Sequence, residues 1–134
     1  MTFFDIPEPT EMLWMTTFPG RIYPLSRPRF AQGKVYQPLD NQKELRNHVF
    51  DKKPIDPIDC DVWLDLHFLR RNRSKADCDN QIKAVCDALQ SSGVLVNDRQ
   101  VVGGTFQAGL SDCDHCNIVL RRVERYVHGP NLSN

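Results

Sequence analysis

Asp77 and Asp79 flank Cys78, and Asp98 follows where the chain returns from a predicted helix. Side chains at i and i+2 of extended chain point the same way, so the first two carboxylates form a pair. Just upstream, Arg70-Arg71-Asn72-Arg73-Ser74-Lys75 is strongly basic. A polyanion drawn to those cations is repelled by bare carboxylates unless a divalent ion stands between them. Acids and bases in this order therefore outline a magnesium site for phosphodiester chemistry. Mg²⁺ takes oxygen ligands, commonly one or two protein carboxylates completed by water and substrate phosphate.

The elements around these residues must bring them together. From Asn80 to Ser92 the apolar Ile82, Val85, Cys86 and Leu89 follow the i, i+3, i+4, i+7 spacing of an amphipathic helix. Asp79 is its expected N-cap and Gly93 its expected stop. Such a helix carries the chain roughly 20 Å from Asp79. Val94-Leu95-Val96-Asn97-Asp98 is β-branched enough to return extended, at about 3.3 Å per residue, which brings Asp98 level with Asp79. Asp79, Lys83 and Asp87 are spaced by four and form one polar stripe. Lys83 then stands one turn above the metal, where a cation can hold the scissile phosphate or stabilise developing charge. Asp87 can orient Lys83 or serve as an outer acid.

Asp77-Cys78-Asp79-Asn80-Gln81-Ile82-Lys83-Ala84-Val85-Cys86-Asp87-Ala88-Leu89, with Gly93, Asn97-Asp98 and Val101-Val102 downstream, resembles the RusA family of Holliday-junction resolvases. The family pattern reads approximately D-x-D-N-x-x-K-x-x-x-D-A-L, followed by an acidic pair and a valine. The resemblance covers about the middle third of the chain. It implies a homodimer that uses Mg²⁺, with Mn²⁺ as a substitute, to cut four-way DNA junctions by paired symmetric incisions. It further implies that Asp77, Asp79 and Asp98 are the metal carboxylates and Lys83 the essential lysine, with Asn80 and Asp87 in support. Ser26-Arg27-Pro28-Arg29-Phe30, with Val35-Tyr36 following, is similar to the basic, proline-containing segment of phage-type members. Arg27, Arg29, Arg70, Arg71, Arg73 and Lys75 are accordingly the expected contacts to DNA phosphates, which position a duplex without reading its sequence. Asn97 stands where the family carries the first acid of its pair, leaving Asp98 as the only carboxylate there. Residues 108–134 carry no motif of the family.

The 134 residues suffice for one domain with a real core, and the whole chain is expected to be a single nuclease domain with tails at 1–11 and 127–134. Seventeen basic and seventeen acidic residues balance, so net charge alone does not point to DNA. Distribution does: Arg21 to Leu39 holds four basic residues and no acid, whereas Asp51 to Asp65 is acidic. Nothing resembles a membrane span, and the acidic stretch Met1–Glu11 is the opposite of an export signal. Five cysteines, an odd number, read as reduced thiols of a cytoplasmic protein in a bacterial or phage-infected cell.

The remaining elements predict an α+β fold, a small mixed sheet with two main helices in an intertwined homodimer. Met12–Phe18 reads as a strand. Asp40–Phe50 reads as a helix capped by Asp40 with Leu45, Val49 and Phe50 facing inward. Val62–Phe68 is the clearest strand, and Val101–Leu110 and Cys116–Val123 are two more joined by the Ser111–His115 turn. Gly103-Gly104 marks a bulge or a close approach of another backbone. Phe30 and Tyr36 are candidates either for the core or for stacking on an unpaired base. Two other functions compete with junction cleavage. One is a branched-DNA-binding protein that does not cut. The other is a structural adaptor with zinc at Cys113, Cys116 and His115, although no second C-x-x-C completes that site.

Overall fold

A computed structural model describes residues 3–24, 29–31, 34–36, 42–72 and 78–130. Its elements are β1 (Phe3–Phe18), β2 (Arg29–Ala31), β3 (Lys34–Tyr36), α1 (Lys43–Lys52), β4 (Val62–Arg70), α2 (Cys78–Ser91), a 3₁₀ turn (Asp98–Gln100), β5 (Val101–Leu110) and β6 (His115–Pro130). Four strands form a mixed sheet in the order β1-β6-β4-β5, and β2 and β3 form a separate small hairpin.

β4 is central because its sequence alternates. Val62, Leu64, Leu66 and Phe68 are buried, while Trp63, Asp65 and His67 face the other side. It pairs in parallel with β5, which a crossover through α2 permits, and antiparallel with β6. The turn after β5 therefore does not close a hairpin. It passes the end of β4, where Ser111 N–H donates to the Arg70 carbonyl (2.9 Å), and places β6 on the opposite side. The expected bulge is present, since Val62 pairs with Val101 but Trp63 with Gly103. The close approach is present as well: a side chain at Gly104 would collide with the Leu64 carbonyl, and one at Gly103 with the Trp63 ring.

α1 and α2 cover the face of the sheet that carries Leu64 and Leu66. Leu45 and Val49 of α1, and Ala84, Val85, Ala88 and Leu89 of α2, join Trp14, Phe18, Ile118 and Leu120 in one core. Burying each large aliphatic group there contributes about 1.5–3 kcal/mol.

Several expectations change. Phe50 is exposed and lies under the Lys53 ammonium (4.2 Å) instead of joining the core. The residue ahead of α1 is Gln42, which makes no side-chain cap. Its amide instead donates to the Tyr23 and Pro24 carbonyls (2.9 and 3.1 Å) and ties the preceding segment to the helix. Asp40 lies outside the described residues. The described parts of the segments expected as tails, 3–11 and 127–130, are strand: Phe3 pairs with Pro130 and Ile6 with Val127. β1 and β6 thus form a ribbon that runs beyond β4, bent by register shifts near Pro9 and Met12. The ribbon is tied back where Tyr126 O–H donates to Asp61 (2.6 Å). Among the described residues no helix is long and apolar enough to cross a membrane.

Candidate active site

α2 begins at Cys78, so Asp79 sits in the first helical turn and not at the cap. Asp77, Arg73 and Lys75 lie outside the described residues, as does Arg27, and of Arg29 only its place in β2 is described. The far end of α2 follows the expectation closely. Gly93 takes φ +83°, Gly93 N–H donates to the Gln90 carbonyl (3.2 Å) and Val94 N–H to that of Leu89 (3.0 Å). This paired arrangement satisfies the last helical carbonyls and needs a residue at ease in the left-handed region.

After Gly93 the chain does not return as a strand. Val94 and Leu95 are buried. Leu95 makes a single bridge to Ile58, with Ile58 N–H donating to the Val94 carbonyl (2.8 Å). The chain then coils into the 3₁₀ turn. This shortens the return leg, so Asp98 stops beside the middle of α2 instead of at its start. Asp98 lines an open cleft of about 460 Å³ with Ile82, Lys83, Cys86, Asp87 and Val101. Lys83 and Asp87 project from the same side of α2, as their four-residue spacing requires. Asp79 lies one helical turn before Lys83 and is exposed.

Three consecutive backbone amides fix the Asp98 turn, each to the oxygen of a neutral side-chain amide. Asn97 N–H donates to Gln100 Oε1 (2.8 Å), Asp98 N–H to Gln90 Oε1 (2.9 Å) and Arg99 N–H to Asn97 Oδ1 (2.8 Å). Gln100 uses the other end of its amide to donate to the Ile58 and Cys60 carbonyls (2.7 and 2.9 Å), which lead into β4. Asn97 is thus the cap of this turn and closes a capping box with Gln100. The pattern Asn-x-x-Gln was readable in the sequence, but Asn97 drew notice only as a missing acid. The roles of Gln90 and Gln100 were not anticipated.

Among the described residues, the Asp79, Asp87 and Asp98 carboxylates and the Lys83 ammonium make no ion pair or side-chain hydrogen bond. Lys83 and Asp87 share the cleft wall without an ion pair. The cleft's donors are carboxylate oxygens, the set a hard cation such as Mg²⁺ prefers. No three His, Cys, Asp or Glu side chains gather tightly enough among the described residues to enclose an ion. Cys86, on the same wall, is pushed up to about 11 by burial and then by the Asp98 charge, and so remains a neutral thiol.

The basic run divides by exposure. Arg70 is only 8% exposed, at the end of the central strand and within electrostatic range of Arg21 and Asp114, a setting unlike that of an open phosphate contact. Arg71 is exposed, and its backbone N–H donates to Asp114 Oδ1 (2.9 Å). The zinc arrangement is not built. Cys116 is buried against the core and pushed up to about 12 by that burial, while Cys113 lies exposed beside His115 (3.5 Å). Cys60, Cys86, Cys113 and Cys116 are free thiols.

Comparison with known proteins agrees with this arrangement. The family model described as endodeoxyribonuclease RusA matches residues 19–121, most of the chain and the whole of the α2 cleft. The crossover junction endodeoxyribonuclease RusA of Aquifex aeolicus (strain VF5) is 35% identical over 46 residues. That match spans 34% of this chain and 36% of the relative, about a third of each.

Proposed function

This chain belongs to the endodeoxyribonuclease RusA family, and we propose that it is a divalent-metal-dependent endonuclease that resolves four-way DNA junctions by paired, symmetric phosphodiester hydrolysis. The observation that supports this reading best is the cleft on α2, which Lys83, Asp87 and Asp98 line together and where none of the three has a partner among the described residues. Two carboxylates and an ammonium left without protein partners in one cleft suit a divalent cation and a phosphate as their ligands.

In this reading Asp77, Asp79 and Asp98 hold the ion, Mg²⁺ with Mn²⁺ as a substitute, and Asp87 supports it from the third turn of α2. A bound divalent ion would supply Lewis acidity and make a coordinated water more acidic than bulk water. Lys83 binds the scissile phosphate and offsets the charge that grows on it during in-line attack. Asn80 supports the first turn of the helix. Arg71, with Arg27, Arg29, Arg73 and Lys75, contacts flanking phosphates, and Arg70 steadies the strand end from which these cations depart. A four-way junction has near two-fold symmetry, so a homodimer places one such cleft at each of the two strands to be cut. The whole chain acts as one nuclease domain, in the cytoplasm of a bacterial or phage-infected cell.

The second reading, junction binding without cleavage, rested on Asn97. Its capping of the turn that carries Asp98 favours cleavage instead, because the residue holds a neighbouring acid in place. Incubation of a synthetic four-way junction with the protein and Mg²⁺ decides between them. Symmetric nicks that chelation abolishes are expected. Tight binding with intact strands at every metal concentration would leave only the binding protein.

A further inference from the structure

We propose that Gln90 and Gln100 are positioning residues that set where the Asp98 carboxylate enters the cleft; this rests on the reading of Asp98 as a metal ligand. Asp98 belongs to no regular element that could hold it, since the chain between the end of α2 and β5 makes one bridge and one 3₁₀ turn. Its backbone is instead clamped from both sides. Gln100 spends its whole side-chain amide on the turn, accepting from Asn97 N–H and donating to the Ile58 and Cys60 carbonyls. Those carbonyls precede the central strand, so the turn is tied to the segment that leads into the middle of the sheet. Gln90 anchors the other side. Its side chain accepts the Asp98 N–H, while its own carbonyl accepts Gly93 N–H in the helix stop. One exposed glutamine therefore ties α2, which carries Lys83 and Asp87, directly to the Asp98 backbone.

The chemistry of the clamp fits this role. Carboxylates would accept from backbone amides more strongly than neutral amides do. Beside Asp87 and Asp98, however, they would add charge and rival oxygens for the cation. Neutral acceptors hold the turn and leave Asp98 its only carboxylate. Outer partners of metal ligands carry about 10- to 100-fold in metal affinity. An exposed single bond such as that from Gln90 belongs at or below the lower end of that range.

The test uses the full chain with Gln90→Ala, Gln90→Glu, Gln100→Ala and Asp98→Asn. Binding of Mn²⁺ alone is followed by calorimetry, and exchange of the Asp98 amide hydrogen is followed in the metal-free protein. Gln90→Ala is expected to speed that exchange and weaken Mn²⁺ binding by about 5- to 10-fold, with Gln100→Ala weakening it more. Gln90→Glu keeps the acceptor oxygen and is expected to restore slow exchange of the Asp98 amide, while its added carboxylate changes Mn²⁺ binding from the wild-type level. Gln90 is exposed on a well-formed helix, so its variants report even if Gln100→Ala does not fold. If exchange quickens in Gln90→Ala while Mn²⁺ binding stays at the wild-type level, and Asp98→Asn does weaken it, the positioning role is overturned and the metal reading stands. If Asp98→Asn also binds Mn²⁺ like wild type, both fall.

Discussion

Two aspartates, Asp65 and Asp98, lie on opposite sides of the same sheet, and they differ in what satisfies their oxygens. On the face away from the helices, Asp65 Oδ1 accepts from the Trp63 indole N–H (2.9 Å) and the Thr105 hydroxyl (2.5 Å), and Oδ2 from Arg121 Nε (3.1 Å). Burial alone would raise its pKa, but these donors outweigh that and hold Asp65 below the usual aspartate value. Its charge is spent on tying β4 to β5 and β6. On the helical face, Asp98 has a backbone anchored at every amide and a carboxylate with no partner among the described residues. One acid is finished by the fold. The other is held ready for something the fold does not supply.

Substitutions should separate the two faces. Asp98→Asn is expected to lower the rate of junction cleavage about 1,000-fold, roughly 4 kcal/mol of transition-state stabilisation, with junction binding and thermal stability nearly unchanged. Single-turnover cleavage beside a gel-shift titration measures both, and a wild-type rate would erase the contrast. Lys83→Ala should cost about 100-fold in the same assay, again without loss of fold. Asp65→Ala inverts the pattern. It strands the Trp63, Thr105 and Arg121 donors and should cost about 1–3 kcal/mol in urea unfolding while leaving the cleavage rate per folded molecule intact.

A smaller effect concerns pH. His48, paired with Thr16 (2.7 Å) and packed edge-on to Phe18, has its pKa lowered from 6.5 chiefly by burial. Below pH 6.5 the unfolded chain takes up this proton more readily than the folded one, so stability from His48 is complete above that pH and is lost as pH falls through the lower folded value. His48→Gln should flatten the pH dependence of unfolding on that side. Smallest of all, Arg71→Ala should weaken junction binding a few-fold and reduce the salt slope by about one.

How well the sequence could be read tracked how local the determining interactions are. The alternation of Val62 to Phe68, the apolar seam of α2 and the stop at Gly93 are written within a few residues of where they act, and each appears in the structure as read. The strand nature of Phe3 to Pro9 is not written locally. Pro7 and Pro9 argue against a strand, yet β1 is an edge strand, where a missing N–H is tolerated, and its partner lies at the other end of the chain. Val94 to Val96 failed in the opposite sense. Its β-branched residues suggested a strand, but Val94 and Leu95 are consumed by the core beneath α2. At the cleft, Lys83 and Asp87 shared a side because helical spacing alone requires it. Gln90 and Gln100 were invisible because their roles depend on carbonyls and amides brought near by the fold.

The long pairing of β1 with β6 also governs when the protein can be completed. During synthesis β1 leaves the ribosome before its partner β6, which emerges only after β4, α2 and β5. A ladder that joins Phe3 to Pro130 closes over a long loop, so it should form late and slowly. Until then β1 is a solitary strand with half-made contacts, the stage at which a nascent chain most needs shielding from its neighbours.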